Sequence, residues 1–326
     1  MSQSHPEAPS QTLLFSLAES YPHSPSQLHT VIIPQLTHRL RLSTLWSIAP
    51  GTRVLDIGCG QGDSALVLSH AVAPPSTTGD GNNTTHTGPA PVPGHVTALD
   101  PAPGAYGSPF TLAQAQSHIS SSPHGAHITF HQSDAPSYLA SHSAETFDSA
   151  TLCHSLWYFS SGAAISSLFD ALYTSSSEQH QHQIKRLCFA EYAFKARTPA
   201  QKPHEMAVAA QKRFYALQAD KGFTLDQGNI RGALDPEEIL ALAEKAGWRL
   251  KDRGVVDTPG LLDGQWEVAA VLDPSWAEGI IKEGLGKEAE EELLGYVSDI
   301  QAAVSELKKT GDKATTMDAV WVVMER

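Results

Sequence analysis

Val54-Leu-Asp-Ile-Gly-Cys-Gly-Gln-Gly62 is the stretch that decides the fold. Residues 53–57 form a short apolar run that opens onto Gly58, the pattern of a buried strand. Gly58, Gly60 and Gly62 follow at alternate positions. They carry no Cβ and tolerate positive φ, so a ligand can approach the backbone closely there. Residues 63–72 then read as a helix, with Asp63 beside the positive end of its dipole. A strand, a glycine turn and a helix open many nucleotide-binding units, so the glycines alone do not choose among them.

Working outward, residues 95–100 read as a second strand, 111–120 as a second helix and 126–131 as a third strand. A fourth strand is predicted at 147–153, a helix at 163–173 and a fifth strand at 186–193. This alternation predicts an α/β fold, doubly wound, with a mostly parallel sheet and helices on both faces. Residues 1–11 read as a disordered lead, and 12–50 as an N-terminal helical cap of two or three short helices, interrupted at Pro34. The core then spans 51–195. Within it, residues 73–94 are rich in Pro, Gly, Thr and Asn and read as a flexible insertion. Residues 196–232 read as a helical substrate cap, with a long helix over 199–221. The remainder, 233–326, returns to the core. It holds a helix at 236–246, a sixth strand at 248–256, an amphipathic helix at 288–309 and a final strand at 319–325. Residues 261–281 fit either a helix or a segment with a strand at 268–272.

Three carboxylates fall at or just after the ends of successive strands. Asp56, two residues before the first glycine, would repel a pyrophosphate and suits a cationic amino group. Asp100 ends the second strand, where a carboxylate can accept both hydroxyls of a ribose. Ser133-Asp134 follows the third strand, where an acid can accept from an adenine amine. S-adenosylmethionine has this combination and no phosphate. On these residues the chain resembles the class I S-adenosylmethionine-dependent methyltransferases: residues 54–62 match that family's first motif, and Asp100, Ser133-Asp134 and 147–153 fall where its next motifs are expected. The resemblance covers about residues 40–195. Asn229-Ile-Arg-Gly232, Pro236-Glu-Glu-Ile239 and Asp263-Gly-Gln-Trp-Glu-Val268 resemble a branch of fungal small-molecule methyltransferases. The resemblance implies a seven-stranded sheet whose final strand lies antiparallel between the fifth and sixth. It places the methionine end of the cofactor on Asp56 and Gly58, the ribose on Asp100 and the adenine on Asp134. Cys59, Gly60, Gly62, Ser133 and Cys153 complete the expected cofactor contacts.

Cys153-His-Ser-Leu-Trp-Tyr-Phe159 follows the fourth strand, where donor would meet acceptor. His154 is a candidate general base, because an imidazole titrates near neutral pH; it could equally wall the donor site through its backbone. Glu191, at the end of the fifth strand, is a second catalytic candidate. Trp157, Tyr158, Tyr215 and Trp266 are candidates for the acceptor pocket, with core packing as the alternative. The formal net charge of −13 disfavours nucleic acid as a partner. Three cysteines without CxxC spacing give no zinc or disulfide framework, and the histidines lack metal-ligand spacing, so no metal is expected. No secretory pattern or membrane-length apolar run occurs, so a cytoplasmic protein is expected, with a homodimer as one option. The expected activity is S-adenosylmethionine-dependent methylation of a small, fairly apolar metabolite, with S-adenosylhomocysteine as product. O-methylation is favoured over N- or S-methylation and over a non-catalytic binder.

Overall fold

The computed structural model describes residues 9–74, 93–176, 181–219 and 230–326. Helices α1 (Gln11–Glu19) and α2 (Ile33–Leu45) precede β1 (Arg53–Ile57), α3 (Asp63–Val72), β2 (His95–Asp100), α4 (Leu112–Ser120) and β3 (Ile128–Gln132). Next come α5 (Ala135–Ser141), β4 (Ser149–Cys153), α6 (Gly162–Thr174) and β5 (Arg186–Tyr192). The chain ends with α7 (Lys202–Gln218), α8 (Pro236–Lys245), β6 (Arg249–Val256), α9 (Asp263–Leu272), α10 (Pro274–Glu283), α11 (Lys287–Thr310) and β7 (Ala319–Glu325).

Among the described residues the strands form one seven-stranded sheet in the order β3-β2-β1-β4-β5-β7-β6. The final strand thus takes the expected place between the fifth and the sixth. β1 runs parallel to both β2 and β4, and β2 runs parallel to β3. The chain winds outward from β1 through β2 to β3, then returns to lay β4 on the other side of β1. In open α/β sheets ligands usually bind beyond the carboxyl ends of the strands at such a reversal, here β1 and β4. β1 and β2 are buried along almost their whole length, as parallel strands covered on both faces must be. β6, at the sheet edge, is exposed along most of its length and carries Arg249, Lys251, Asp252 and Arg253, charges that discourage addition of another strand.

The chain forms two compact units. The first comprises Met1–Cys153, Ala171–Phe189 and Val323–Arg326. Its core joins Leu17 of α1 and Leu36 of α2 to Val54, Leu66, Val67, Val96 and Ile119. The second comprises His154–Asp170 and Ala190–Val322. There Ala207 and Ala210 of α7 pack with Val268 and Val271 of α9 and Ile300 of α11. Small residues on α7 allow this close approach, because alanine adds little bulk between helix axes.

Several boundaries differ from the sequence expectation. Residues 9–11 are ordered: Ser10 caps α1, its hydroxyl accepting from the Leu13 amide. Pro34 does not interrupt the second helical segment. A π-helical turn, Leu28–Ile32, runs straight into α2, and the Ile33 amide donates to the Leu28 carbonyl. Proline then sits in the first turn of α2, where its missing N–H costs nothing. Residues 261–281 hold no strand; α9 and α10 occupy this stretch, separated by Asp273, whose carboxylate caps α10 through the Ser275 amide. Most of the 73–94 insertion, and the end of the helix expected over 199–221, lie outside the described residues.

Candidate active site

The loop after β1 is fixed from below by the neighbouring strand. The amides of Gly58 and Cys59 both donate to the Leu99 carbonyl of β2, at 2.8 and 3.0 Å. Gly58, Gly60 and Gly62 have φ of 71°, 54° and 97°. Two of these glycines serve different purposes. A Cβ on Gly62 would stand 2.8 Å from Ile119 Cδ1 and 3.0 Å from the Phe130 ring, so that glycine permits helix and strand to pack. A Cβ on Gly60 would meet nothing within 4 Å. The backbone of Gly60 therefore borders open space, as a residue approached by a ligand must.

Asp100 ends β2 and reaches across to this loop. Its Oδ2 accepts the Gly60 amide at 2.9 Å and its Oδ1 accepts the Ala102 amide at 2.9 Å. The Gly60 carbonyl accepts from Gln116 Nε2 at 2.9 Å. Both polar groups of the Gly60 residue are thus bound on the protein side. Each carboxylate oxygen of Asp100 retains a second lone pair for a ligand hydroxyl.

Asp56 is only 1 % exposed. Its oxygens accept from Ser64 Oγ at 2.6 Å and Thr151 Oγ1 at 2.8 Å. Burial outweighs these two bonds and pushes its pKa up to about 6. Asp56 therefore ties β1 to β4 and to the first turn of α3. Cys59 is buried, and burial raises its thiol pKa; Cys153, ending β4, is half-buried. Ser133 donates to the Asp134 carbonyl. Exposed Asp134 caps α5, accepting from the Ser137 amide at 2.8 Å and its hydroxyl at 2.9 Å.

The second unit holds the residues predicted for proton transfer. His154 has φ of 53°, a left-handed conformation that costs a non-glycine residue about 1–2 kcal/mol. Its amide donates to the Ala190 carbonyl at 2.9 Å. Its ring stacks on Tyr192 with centroids 4.2 Å apart, and its Nδ1 lies 3.4 Å from Glu191 Oε1. Glu191 is 1 % exposed, and its Oε2 accepts the amides of Leu156 and Trp157 at 3.1 and 3.3 Å. The carboxylate thus holds the start of the short turn Leu156–Tyr158 and faces the imidazole at the same time. His204, fully buried on α7, accepts the Met317 amide on Nδ1, so its proton sits on Nε2; burial holds its pKa down to about 3.

Trp157 is 2 % exposed, packs edge-on against Tyr192 and Phe194, and donates its indole N–H to the Leu234 carbonyl. Tyr215 is half-buried on α7. Tyr158 and Trp266 are 48 % and 45 % exposed. Among the described residues no three His, Cys, Asp or Glu side chains gather as metal ligands, and no helix is long and apolar enough to cross a membrane.

Sequence reasoning missed Ser64, Thr151, Gln61 and Gln116. One signal was available for Thr151: a hydroxyl inside the otherwise apolar run Ala150–Cys153 must find a partner when buried. Gln116 lies 56 positions from Gly60 and offered no such signal.

No protein-family model matches the chain. Two curated proteins of Diaporthe leptostromiformis, methyltransferase phomM' and methyltransferase phomM, are each 31 % identical over an alignment of 350 positions. Each alignment covers 91 % of this chain and 85 % of the relative. Among solved structures, a cyclopropane-fatty-acyl-phospholipid synthase-like protein from Lactobacillus casei ATCC 334 shares the fold, with a TM-score of 0.75 at 24 % identity. That match covers 97 % of this chain and 100 % of the other.

Proposed function

This chain belongs to the methyltransferase family of those fungal relatives, and from that premise we propose that it transfers the methyl group of S-adenosylmethionine to a hydroxyl of a small, fairly apolar metabolite. The observation that carries the donor assignment is the Gly60 backbone, open on one side and bound on the other by Asp100 and Gln116. Asp100 would accept the ribose hydroxyls and Asp134 the adenine amine. Asp56 would act on the methionine end by its charge, from a position at which it ties β1 to β4 and to the first turn of α3. When bound, the donor supplies a sulfonium methyl, which is intrinsically reactive, so the protein's part is positioning and water exclusion.

His154 and Glu191 favour a hydroxyl acceptor over an amine or thiolate, because an alcohol must lose its proton as the new C–O bond forms. Glu191 faces His154 Nδ1, which leaves proton removal to Nε2. Bound S-adenosylmethionine would supply the methyl group and leave as S-adenosylhomocysteine, and His154 would take up the proton that the acceptor hydroxyl gives up. The exposed rings of Tyr158 and Trp266, with Tyr215, offer apolar surface to the acceptor.

The test is calorimetry with S-adenosylmethionine and S-adenosylhomocysteine on the wild type and on Asp100→Ala. Micromolar binding, weakened at least tenfold in the variant, is expected (about 1.4 kcal/mol). Incubation of the wild type with methyl-labelled donor and a metabolite extract should then place label in the small-molecule fraction. Absence of binding in the wild type removes the donor assignment; label on polypeptide removes the small-molecule acceptor.

A further inference from the structure

Gln61 is the one residue of the loop Gly58–Gly62 whose side chain extends in two directions at once. Its Oε1 accepts the Tyr21 hydroxyl at 3.0 Å, and its Nε2 donates to the Phe110 carbonyl at 2.7 Å. Tyr21 follows α1, and its ring is buried in the core formed by α1, α2, β1 and α3. Burial, reinforced by the nearby Asp63 carboxylate, raises the phenol pKa, so Tyr21 keeps its proton and remains the donor. The Phe110 end is equally defined. Gly107, at φ of 104°, lets the chain turn beside it; a Cβ there would lie 3.0 Å from the Phe110 carbonyl and 3.4 Å from Gln61 Nε2.

A second strap runs alongside. Arg39 of α2 pairs with Asp63, the first residue of α3, at 3.0 Å, and both side chains are largely buried. The N-terminal helical segment therefore grips the loop on each side of Gly62, through Gln61 and through Asp63. Gly60, the residue with open space above it, directly precedes Gln61 in the chain. Rotation of the Gln61 backbone would turn the peptide plane that Gly60 presents.

We propose that Tyr21 is a positioning residue for the donor site: by its hydrogen bond to Gln61, and together with Gln116 on the Gly60 carbonyl, it fixes the peptide plane at Gly60–Gln61, so that the N-terminal helices contribute to the affinity for the adenosyl cofactor. This rests on the donor assignment made above. Tyr21 itself need not touch the ligand.

The experiment is a double-mutant cycle on the full chain, with Tyr21→Phe, Gln61→Met and the pair, read by S-adenosylhomocysteine calorimetry and by thermal melting without ligand. Tyr21→Phe removes one oxygen, and Gln61→Met keeps the side chain's length without its amide. Each is expected to weaken binding about five- to tenfold, and the pair no more than Gln61→Met alone. Unchanged affinity in Tyr21→Phe, even with a lowered melting temperature, makes the contact purely structural and overturns the proposal. Independent, additive losses overturn it too, because Tyr21 would then act by another route. If Tyr21→Phe fails to fold, wild-type affinity in Gln61→Met is the overturning result. Wild-type protein that binds no S-adenosylhomocysteine overturns the donor assignment itself, an outcome distinct from equal affinity in wild type and variants.

Discussion

The amide of Gly60 donates to Asp100 Oδ2 at 2.9 Å, so the turn after the first strand is held by the end of the second. The glycines around that contact differ in their surroundings: Gly60 borders open space and Gly62 faces Ile119 and Phe130. Gly60→Ala places a methyl group in open space at positive φ, so it should cost about 1–2 kcal/mol of stability and obstruct the cofactor. Gly62→Ala meets Ile119 and Phe130 as well as an unfavourable φ and should cost about 2–4 kcal/mol. Denaturant melts and S-adenosylhomocysteine titration of the two variants check this. The larger stability loss belongs to Gly62→Ala, and the larger affinity loss per unit of stability to Gly60→Ala.

Asp56 gives the fold a defined pH dependence. Its folded pKa of about 6 lies above its ordinary 3.8, so the unfolded chain gives up this proton more readily. The contribution is fully present below pH 3.8 and is lost as pH rises toward 6. Asp56→Asn keeps an oxygen for one of the two hydroxyls, turns an NH2 to the other, which must then accept, and does not titrate. Measured by urea denaturation, the stability of the wild type relative to the variant should decline across that window by roughly 3 kcal/mol. A constant difference between the two proteins from pH 4 to pH 7 would contradict a buried, titrating Asp56.

Glu191 has two duties that substitution can separate. Glu191→Gln retains an oxygen for the Leu156 and Trp157 amides but removes the charge facing His154. The loss of a nearby anion destabilises the imidazolium. kcat should therefore fall by about tenfold, and because the Tyr192 amide loses its acceptor at Oε1, stability should fall by about 1–3 kcal/mol. Glu191→Ala leaves the buried amides of Leu156, Trp157 and Tyr192 without this acceptor and should cost about 2–4 kcal/mol. Wild-type kcat in Glu191→Gln would remove His154 as the base.

The alternation of apolar runs with helical segments made the sheet legible, because buried parallel strands leave continuous apolar stretches in the chain. Residues 54–62 located the loop and its glycines for the same local reason: φ and Cβ volume are properties of single residues. Pro34 misled the expectation of a broken helix. Whether a proline breaks a helix depends on the hydrogen bonding of the preceding turn, here of π type. The segment 261–281 was ambiguous since short apolar runs serve a strand or a helix equally, and the packing of Val268 and Val271 on α7 resolved it.

The strand–turn–helix unit and the class of fold were readable from the chain alone, and so were the positions of Asp56 and Asp100 at strand ends, because neighbours within a few positions set them. Only the tertiary structure decided what each carboxylate binds. Asp56 meets Thr151 across 95 positions, Asp100 meets Gly60 across 40, and Glu191 meets Leu156 across 35. Such pairings depend on sheet register and on which strand lies beside which. Those follow from burying the whole core at once, and no local pattern in the chain records them.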